Sequence, residues 1–320
     1  MIKTSIVVLD YIKLVGGFIV LIYSGKYLVK GGVDIAAHFK ISKLVVGVTI
    51  VSFGTSAPEL FVSLKAALEG HPDISIYNVI GSNIANIALV LAITAMIFPI
   101  PVNVKSMRFD WPIMMLISIV FYVFVLNGML DRWEGILFVI ALVGYILWSL
   151  VKSRRDTKSA EEEHAAPSFG MGMSVLMVVV SCVGLAFSSD WLVDGAVAIA
   201  RSFDISERVI SVSLIALGTS IPELATSSIA AFKKEMDISV GNIIGSNIFN
   251  LLAVLGISSI ITPIGINEKV LQFDIYFMLG IAFLLFVLIM ILKRLHLTRW
   301  KGVVLLAVYV VYMYLIFNRP

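Results

Sequence analysis

The sequence predicts an all-α membrane protein of about ten transmembrane helices, built as two inverted five-helix repeats. Three observations carry that prediction. The 320 residues are 59% hydrophobic and only 14% charged, with a mean hydropathy of +1.01, too apolar for a chain whose surface must stay wetted. Apolar runs of roughly 20 residues recur along the length, each long enough to cross a hydrocarbon core of about 30 Å as a helix. These runs are continuous rather than alternating, which excludes the strands of a barrel. Finally, Phe39 to Ile100 aligns without a gap on Phe203 to Ile264 at a constant offset, with roughly half the positions identical.

Charge clusters and Gly/Pro punctuation place the helix starts near Tyr11, Lys43, Ser75, Asp110, Trp133, Met171, Glu207, Ser239, Phe273 and Trp300. Met1 to Lys13 has no small-residue cleavage site after its short apolar stretch, so no removable signal peptide is expected. A polar segment carrying Arg154, Arg155, Glu161, Glu162 and Glu163 has the composition of a linker. The first five-helix repeat is therefore expected over residues 1–152, a short cytoplasmic linker over 153–169 and the second repeat over 170–320. The linker is too short for a folded domain.

The repeats match motif by motif: FKIS with FDIS, GTSAPEL with GTSIPEL, DISIYNVIGSNIAN with DISVGNIIGSNIFN, and Pro99 with Pro263. The match extends upstream, pairing Ser24, Leu28, Val29 and Gly31 with Ser188, Leu192, Val193 and Gly195. An odd number of spans per repeat sends the second copy into the bilayer from the opposite side. Inverted halves suit secondary transporters, because each half can adopt the other's conformation and so open a central site to each side in turn.

Counting spans from an external N-terminus puts Lys40, Lys43, Lys105, Arg108, Arg154, Arg155, Lys158, Lys233, Lys234, Lys293, Arg294, Arg299 and Lys301 on one side. That side is expected to be cytoplasmic, with both termini outside. Minimal loops point to a prokaryotic plasma membrane. The net charge of +3 is spread along the loops and leaves no footprint for a nucleic acid. The lone Cys182, in an apolar run, reads as a small core residue.

Glu59 and Glu223 lie in the middle of otherwise apolar spans. An ionised side chain at the bilayer centre costs at least about 2.5 to 3.5 kcal/mol on insertion scales, so each needs a partner, a proton or a wet cavity. Pro58 and Pro222 stand directly before them, and Gly54 and Gly218 four residues before each proline. Proline offers no N–H to the carbonyl four residues back, so both helices are expected to break there and to free the carbonyls of Gly54 and Gly218. A freed carbonyl is a hard oxygen ligand for a cation.

Thr55 shares a helix face with Glu59, and Thr219 with Glu223, while Ser56 and Ser220 add hydroxyls nearby. The same spacing joins Ser82 to Asn86 and Ser246 to Asn250, after Gly81 and Gly245. Every donor in this set is oxygen. It suits Ca²⁺ or Na⁺, whereas zinc or copper would call for His or Cys, and His38, His71, His164 and His296 all fall in loops or near interfaces. Asn78, Asn83, Asn242 and Asn247 either join this set or tie helices together. With no His or Cys beside the carboxylates, an enzyme is not expected. No cofactor and no required protein partner are expected either. The partners are the transported ions and the bilayer.

GTSAPE with GSNIAN, and GTSIPE with GSNIFN, resemble the α-repeats of the sodium/calcium exchangers of the cation/calcium exchanger superfamily. The resemblance covers nearly the whole chain. It implies that Glu59 and Glu223 are central calcium ligands, and that Thr55, Ser56, Ser82, Asn86, Thr219, Ser220, Ser246 and Asn250 contribute to calcium or sodium sites. Family stoichiometry would be three sodium ions per calcium. Potassium-dependent members carry Asp where this chain has Asn250, so the resemblance speaks against potassium co-transport. Cation/proton exchangers of the superfamily usually carry a different acidic motif in place of GTSxPE, which leaves calcium/proton antiport as the alternative, with a cation channel behind it.

Overall fold

Long apolar runs become long helices in the computed structural model, which describes residues 2–104, 106–159, 166–202, 218–290 and 295–318. In chain order the elements are α1 (Ile2–Phe39), α2 (Lys43–Thr55), α3 (Ala57–Leu68), α4 (Ile74–Ile97), α5 (Ser106–Asn127), α6 (Arg132–Ser159), α7 (Met171–Ser202), α8 (Ile221–Phe232), α9 (Met236–Ile261), α10 (Val270–Met290) and α11 (Arg299–Asn318). Among the described residues, eight helices are long and apolar enough to cross a membrane, and α2 with α3 forms one further candidate span bent by 44°. The protein is an integral membrane protein. The span expected from Glu207 lies largely outside the described residues, as do Lys105, His164, Lys293 and Arg294.

Two boundaries differ most from the sequence reading. Helix α1 starts at Ile2, ahead of Tyr11, because nothing in the intervening residues breaks a helix. Helix α6 continues to Ser159, so the expected linker 153–169 begins inside a helix. The extension is held in place from its first turn: Ser153 Oγ accepts the backbone N–H of Ser42 at 2.7 Å, at the start of α2.

Burial orders the layers. In α4 and α9, 72% and 89% of the apolar window is buried inside the protein, which makes them the centre. Helices α5, α6, α10 and α11 form a flank and leave Leu116, Ile140, Phe283 and Val310 exposed, as a lipid-facing surface requires. Helices α1 and α7 run along each other with small residues at the contact: Gly17 lies against Ser188 and Leu192, Gly184 against Ser24, and Gly31 against Ser174 and Val178. Small residues let backbones approach, which supplies dispersion where lipid removes the hydrophobic drive. Two-residue strands, absent from the sequence reading, clip loops together. Ile100–Pro101 pairs with His296–Leu297, and Met129–Leu130 with Ile264–Gly265.

Equivalent stretches of the two copies end alike. Helix α3 is closed by Gly70 (φ 84°), with His71 N–H donating to Ala66 O at 2.8 Å, and α8 by Lys234 (φ 63°), with Glu235 N–H donating to Ala230 O at 2.8 Å. A left-handed residue after the last turn satisfies the final carbonyls. Helices α3 and α8 are thereby both fixed at their far ends.

Candidate functional site

The break in the first copy falls between α2 and α3, where Ser56 (φ −86°, ψ 5°) leaves the helix and Pro58 stands in the first turn of the next one. Ser220 (φ −88°, ψ 0°) and Pro222 repeat it before α8. Proline is well placed there, since its missing N–H is one of the helix's unpaired donors anyway. Glu59 and Glu223 follow directly and occupy the first turns of α3 and α8. A carboxylate at a helix N-terminus faces the positive end of the backbone dipole. The sequence reading placed these residues mid-span and missed this benefit, although Pro–Glu after a Ser is an N-terminal signature.

Both carboxylates are fully buried. Neither oxygen of Glu59 has a hydrogen-bond partner among the described residues, and Glu223 has only Ser56 Oγ, donating to Oε1 at 3.3 Å. Ser82 and Thr219 turn their hydroxyls toward Glu59 without reaching hydrogen-bond geometry, and Thr55 and Ser246 stand likewise by Glu223. The carboxylates are close enough to repel each other. No ion pair to Lys or Arg relieves them among the described residues.

The hydroxyls are held across the two copies. Thr55 Oγ1 donates to Asn242 Oδ1 at 3.0 Å and lies 3.3 Å from Ser246 Oγ; Thr219 Oγ1 donates to Asn78 Oδ1 at 3.5 Å and lies 3.3 Å from Ser82 Oγ. Asn78 and Asn242 are fixed in turn, each donating from Nδ2 at 3.0 Å, to Ser63 Oγ and Ser227 Oγ. Asn83 and Asn247 tie α4 to α9, each giving Nδ2 to the other's backbone carbonyl at 3.4 Å. These four asparagines therefore brace the cluster.

Asn86 and Asn250 are committed only on one side of the amide. Asn86 Nδ2 donates to Asn247 Oδ1 and Asn250 Nδ2 to Asn83 Oδ1, both at 3.1 Å, while their own Oδ1 atoms are buried without a partner among the described residues. Each residue opens a π-helical turn, Asn86–Val90 in α4 and Asn250–Leu255 in α9. Such turns add a residue to the helix and recur at functional sites. Nothing in the sequence marks them.

Ser220 Oγ is also buried without a partner among the described residues. The carbonyl of Gly218, expected to be free, instead accepts a hydrogen bond from Ser189 Oγ on α7 at 2.5 Å. Gly54 packs against Cys182, which is partly buried, also on α7.

Asn247→Ala tests the bracing. It strips the acceptor from Asn86 Nδ2 and the donor from Asn83 O, so the melting temperature in detergent should fall by the equivalent of about 1–3 kcal/mol.

A model of the sodium/calcium exchanger protein family matches residues 10–151 and 173–318. A protein of Alkalimonas amylolytica, provisionally named antiporter CaxA, is 38% identical over 94% of this chain and 97% of its own. The sodium/calcium exchanger MaX1 of Methanosarcina acetivorans is 28% identical over 97% of this chain and 99% of its own. A solved structure of the sodium-calcium exchanger NCX_Mj, soaked without Na⁺ and Ca²⁺, superposes with a TM-score of 0.83 at 31% identity, covering 96% of this chain and 99% of that one.

Proposed function

The chain belongs to the sodium/calcium exchanger protein family, and from that premise we propose that it exchanges Ca²⁺ for Na⁺ by alternating access at the paired carboxylates. Cation/calcium antiport is the activity of the family. The observation that carries the finer reading is the set of buried oxygens without partners among the described residues: both of Glu59, one of Glu223, Asn86 Oδ1, Asn250 Oδ1 and Ser220 Oγ. A buried acceptor left unpaired costs about 1–3 kcal/mol, so this set is unfavourable until a hard cation fills it. Every atom of this set is an oxygen, which fits Ca²⁺ or Na⁺.

Thr55, Ser56, Ser82, Thr219 and Ser246 complete the proposed site, with Gly54, Pro58, Gly218 and Pro222 shaping the backbone around it. With the site empty, two carboxylates would have to cross in low dielectric, which couples outward movement of one ion to inward movement of another. The reading includes ten helices in two inverted five-helix repeats, spanning 1–152 and 170–320. It also includes both termini outside and a prokaryotic plasma membrane. Support for the repeats comes from contacts that recur in both copies at a fixed separation, with Asn83 and Asn247, 164 residues apart, bonding each other reciprocally.

Each unpaired carboxylate can also take a proton, so calcium/proton exchange is the second reading. The test uses purified protein in sodium-filled liposomes diluted into sodium-free or sodium-matched buffer containing labelled calcium. Uptake that requires the outward sodium gradient is expected. Uptake driven by a proton gradient alone would select the second reading, and uptake independent of both gradients would mean a channel.

A further inference from the structure

A cavity of about 560 Å³ lies beside the site, lined by Pro58 and Val62 of α3, by Tyr77, Asn78 and Ser82 of α4, by Ser189, Asp190, Val193 and Asp194 of α7, and by Thr219. Ser82 and Thr219 are the two residues whose hydroxyls turn toward Glu59, whose oxygens have no partner among the described residues. The cavity is therefore an approach to that carboxylate. Asp190 and Asp194 are exposed on its wall, one helical turn apart. Asp194 pairs with Lys13 of α1 at 3.1 Å, and Asp190 has no hydrogen bond or ion pair among the described residues.

The two copies of the sequence differ at these positions in the sign of the charge. On the register that pairs Ser24 with Ser188 and Val29 with Val193, Asp190 corresponds to Lys26 and Asp194 to Lys30. Lys26 and Lys30 lie in the half of α1 that ends at Phe39, away from Lys13. Lys233, just past the end of α8, donates from Nζ to Lys26 O at 2.8 Å. Burial, then the neighbouring Lys26 and Lys30 charges, hold its ammonium below its usual pKa. Lys30 lies over the Phe169 ring, 4.4 Å from its centre. Ile238 and Asn242 are fully buried, whereas their equivalents on the open side, Ile74 and Asn78, are exposed and half-buried, so this second approach is shut in the present conformation.

We propose that Asp190 and Asp194 draw cations into the open approach while Lys26, Lys30 and Lys233 repel them from the equivalent approach at the other end, so that the protein captures cations more readily from one membrane face. This rests on the exchanger reading. The physical basis is general: charges lining a cleft with low-dielectric walls change the local concentration of an ion, and a divalent ion feels each of them twice. An internally symmetric site would otherwise offer both faces similar capture.

The test compares right-side-out and inverted membrane vesicles, measuring the calcium concentration that half-saturates sodium-driven exchange. Asp190→Asn should raise it roughly 3- to 10-fold in one vesicle type only, at low ionic strength, with the effect shrinking as salt is added. Lys26→Asn with Lys30→Asn should lower it in the other type. Equal changes in both types, no change, or a change insensitive to salt would overturn the inference while leaving exchange intact. Failure of the unmodified protein to take up calcium under any gradient would overturn the exchanger reading and this inference with it.

Discussion

Glu59→Gln and Glu223→Gln should each abolish calcium exchange while leaving the cation-free protein more stable than it was. Glutamine keeps the shape of the side chain and the first turns of α3 and α8, but removes a charge that has no counter-charge among the described residues. Losing one buried carboxylate ligand to a bound cation should cost about 3 kcal/mol, a weakening of roughly 100-fold. Without cation the sign reverses. The carboxylate that no longer has to be buried unpaired had been destabilising the empty state, so the melting temperature should rise by the equivalent of about 1–3 kcal/mol. Calcium should raise the melting temperature of the unmodified protein, because a ligand that binds only the folded state stabilises it by mass action. It should do so much less for either variant. Both parts are measurable by thermal scans in detergent beside liposome uptake. A variant that melts lower and still transports would assign the glutamates a purely structural role.

The positions of these two residues were legible because charge is conspicuous in an apolar span, and because the duplication presents the same Pro–Glu twice. The helix break was legible for a local reason, since proline's missing donor acts within one turn. What escaped the sequence depends on partners far along the chain. Asn78 and Asn242 brace threonines of the other copy, and periodicity says which face a residue is on without saying what lies opposite. A usable signal existed: Ser63, Ser75 and Asn78 recur as Ser227, Ser239 and Asn242 within apolar runs, and each set forms the same internal bonds, with Ser75 Oγ and Ser239 Oγ donating at 2.9 Å to Ser63 O and Ser227 O. The fate of the Gly218 carbonyl, which the proline was expected to leave free, was hidden in another way. Its donor Ser189 belongs to α7, and on the repeat register the equivalent residue is Gly25, so the first copy offers no hydroxyl to predict it from.

Gly245→Ala should be among the most damaging single-methyl changes in the chain, and the reason is a backbone contact rather than helix propensity. Alanine is the better helix former by about 0.8–1.0 kcal/mol, so on local grounds the change should stabilise α9. A Cβ at position 245 would lie 2.2 Å from Ser52 Oγ, 2.5 Å from Val48 O and 2.7 Å from Val48 Cα. Ser52 cannot simply rotate away at no cost, since its hydroxyl lies 2.7 Å from Gly47 O and 3.0 Å from Asn242 O, and the Val48 backbone has no rotamer at all. Helices α2 and α9 must separate, at a cost of about 1–3 kcal/mol or more for an overpacked core. Separation also stretches the Thr55 to Asn242 bond at the edge of the site, so calcium affinity should fall with stability. Gly144→Ala is the matching control: Gly144 is exposed within α6 and a Cβ there meets nothing within 4 Å among the described residues. Propensity then acts alone, and that variant should melt no lower than the unmodified protein. If both variants melted alike, the α2–α9 contact would not be the close backbone seam on which the bracing of the site depends.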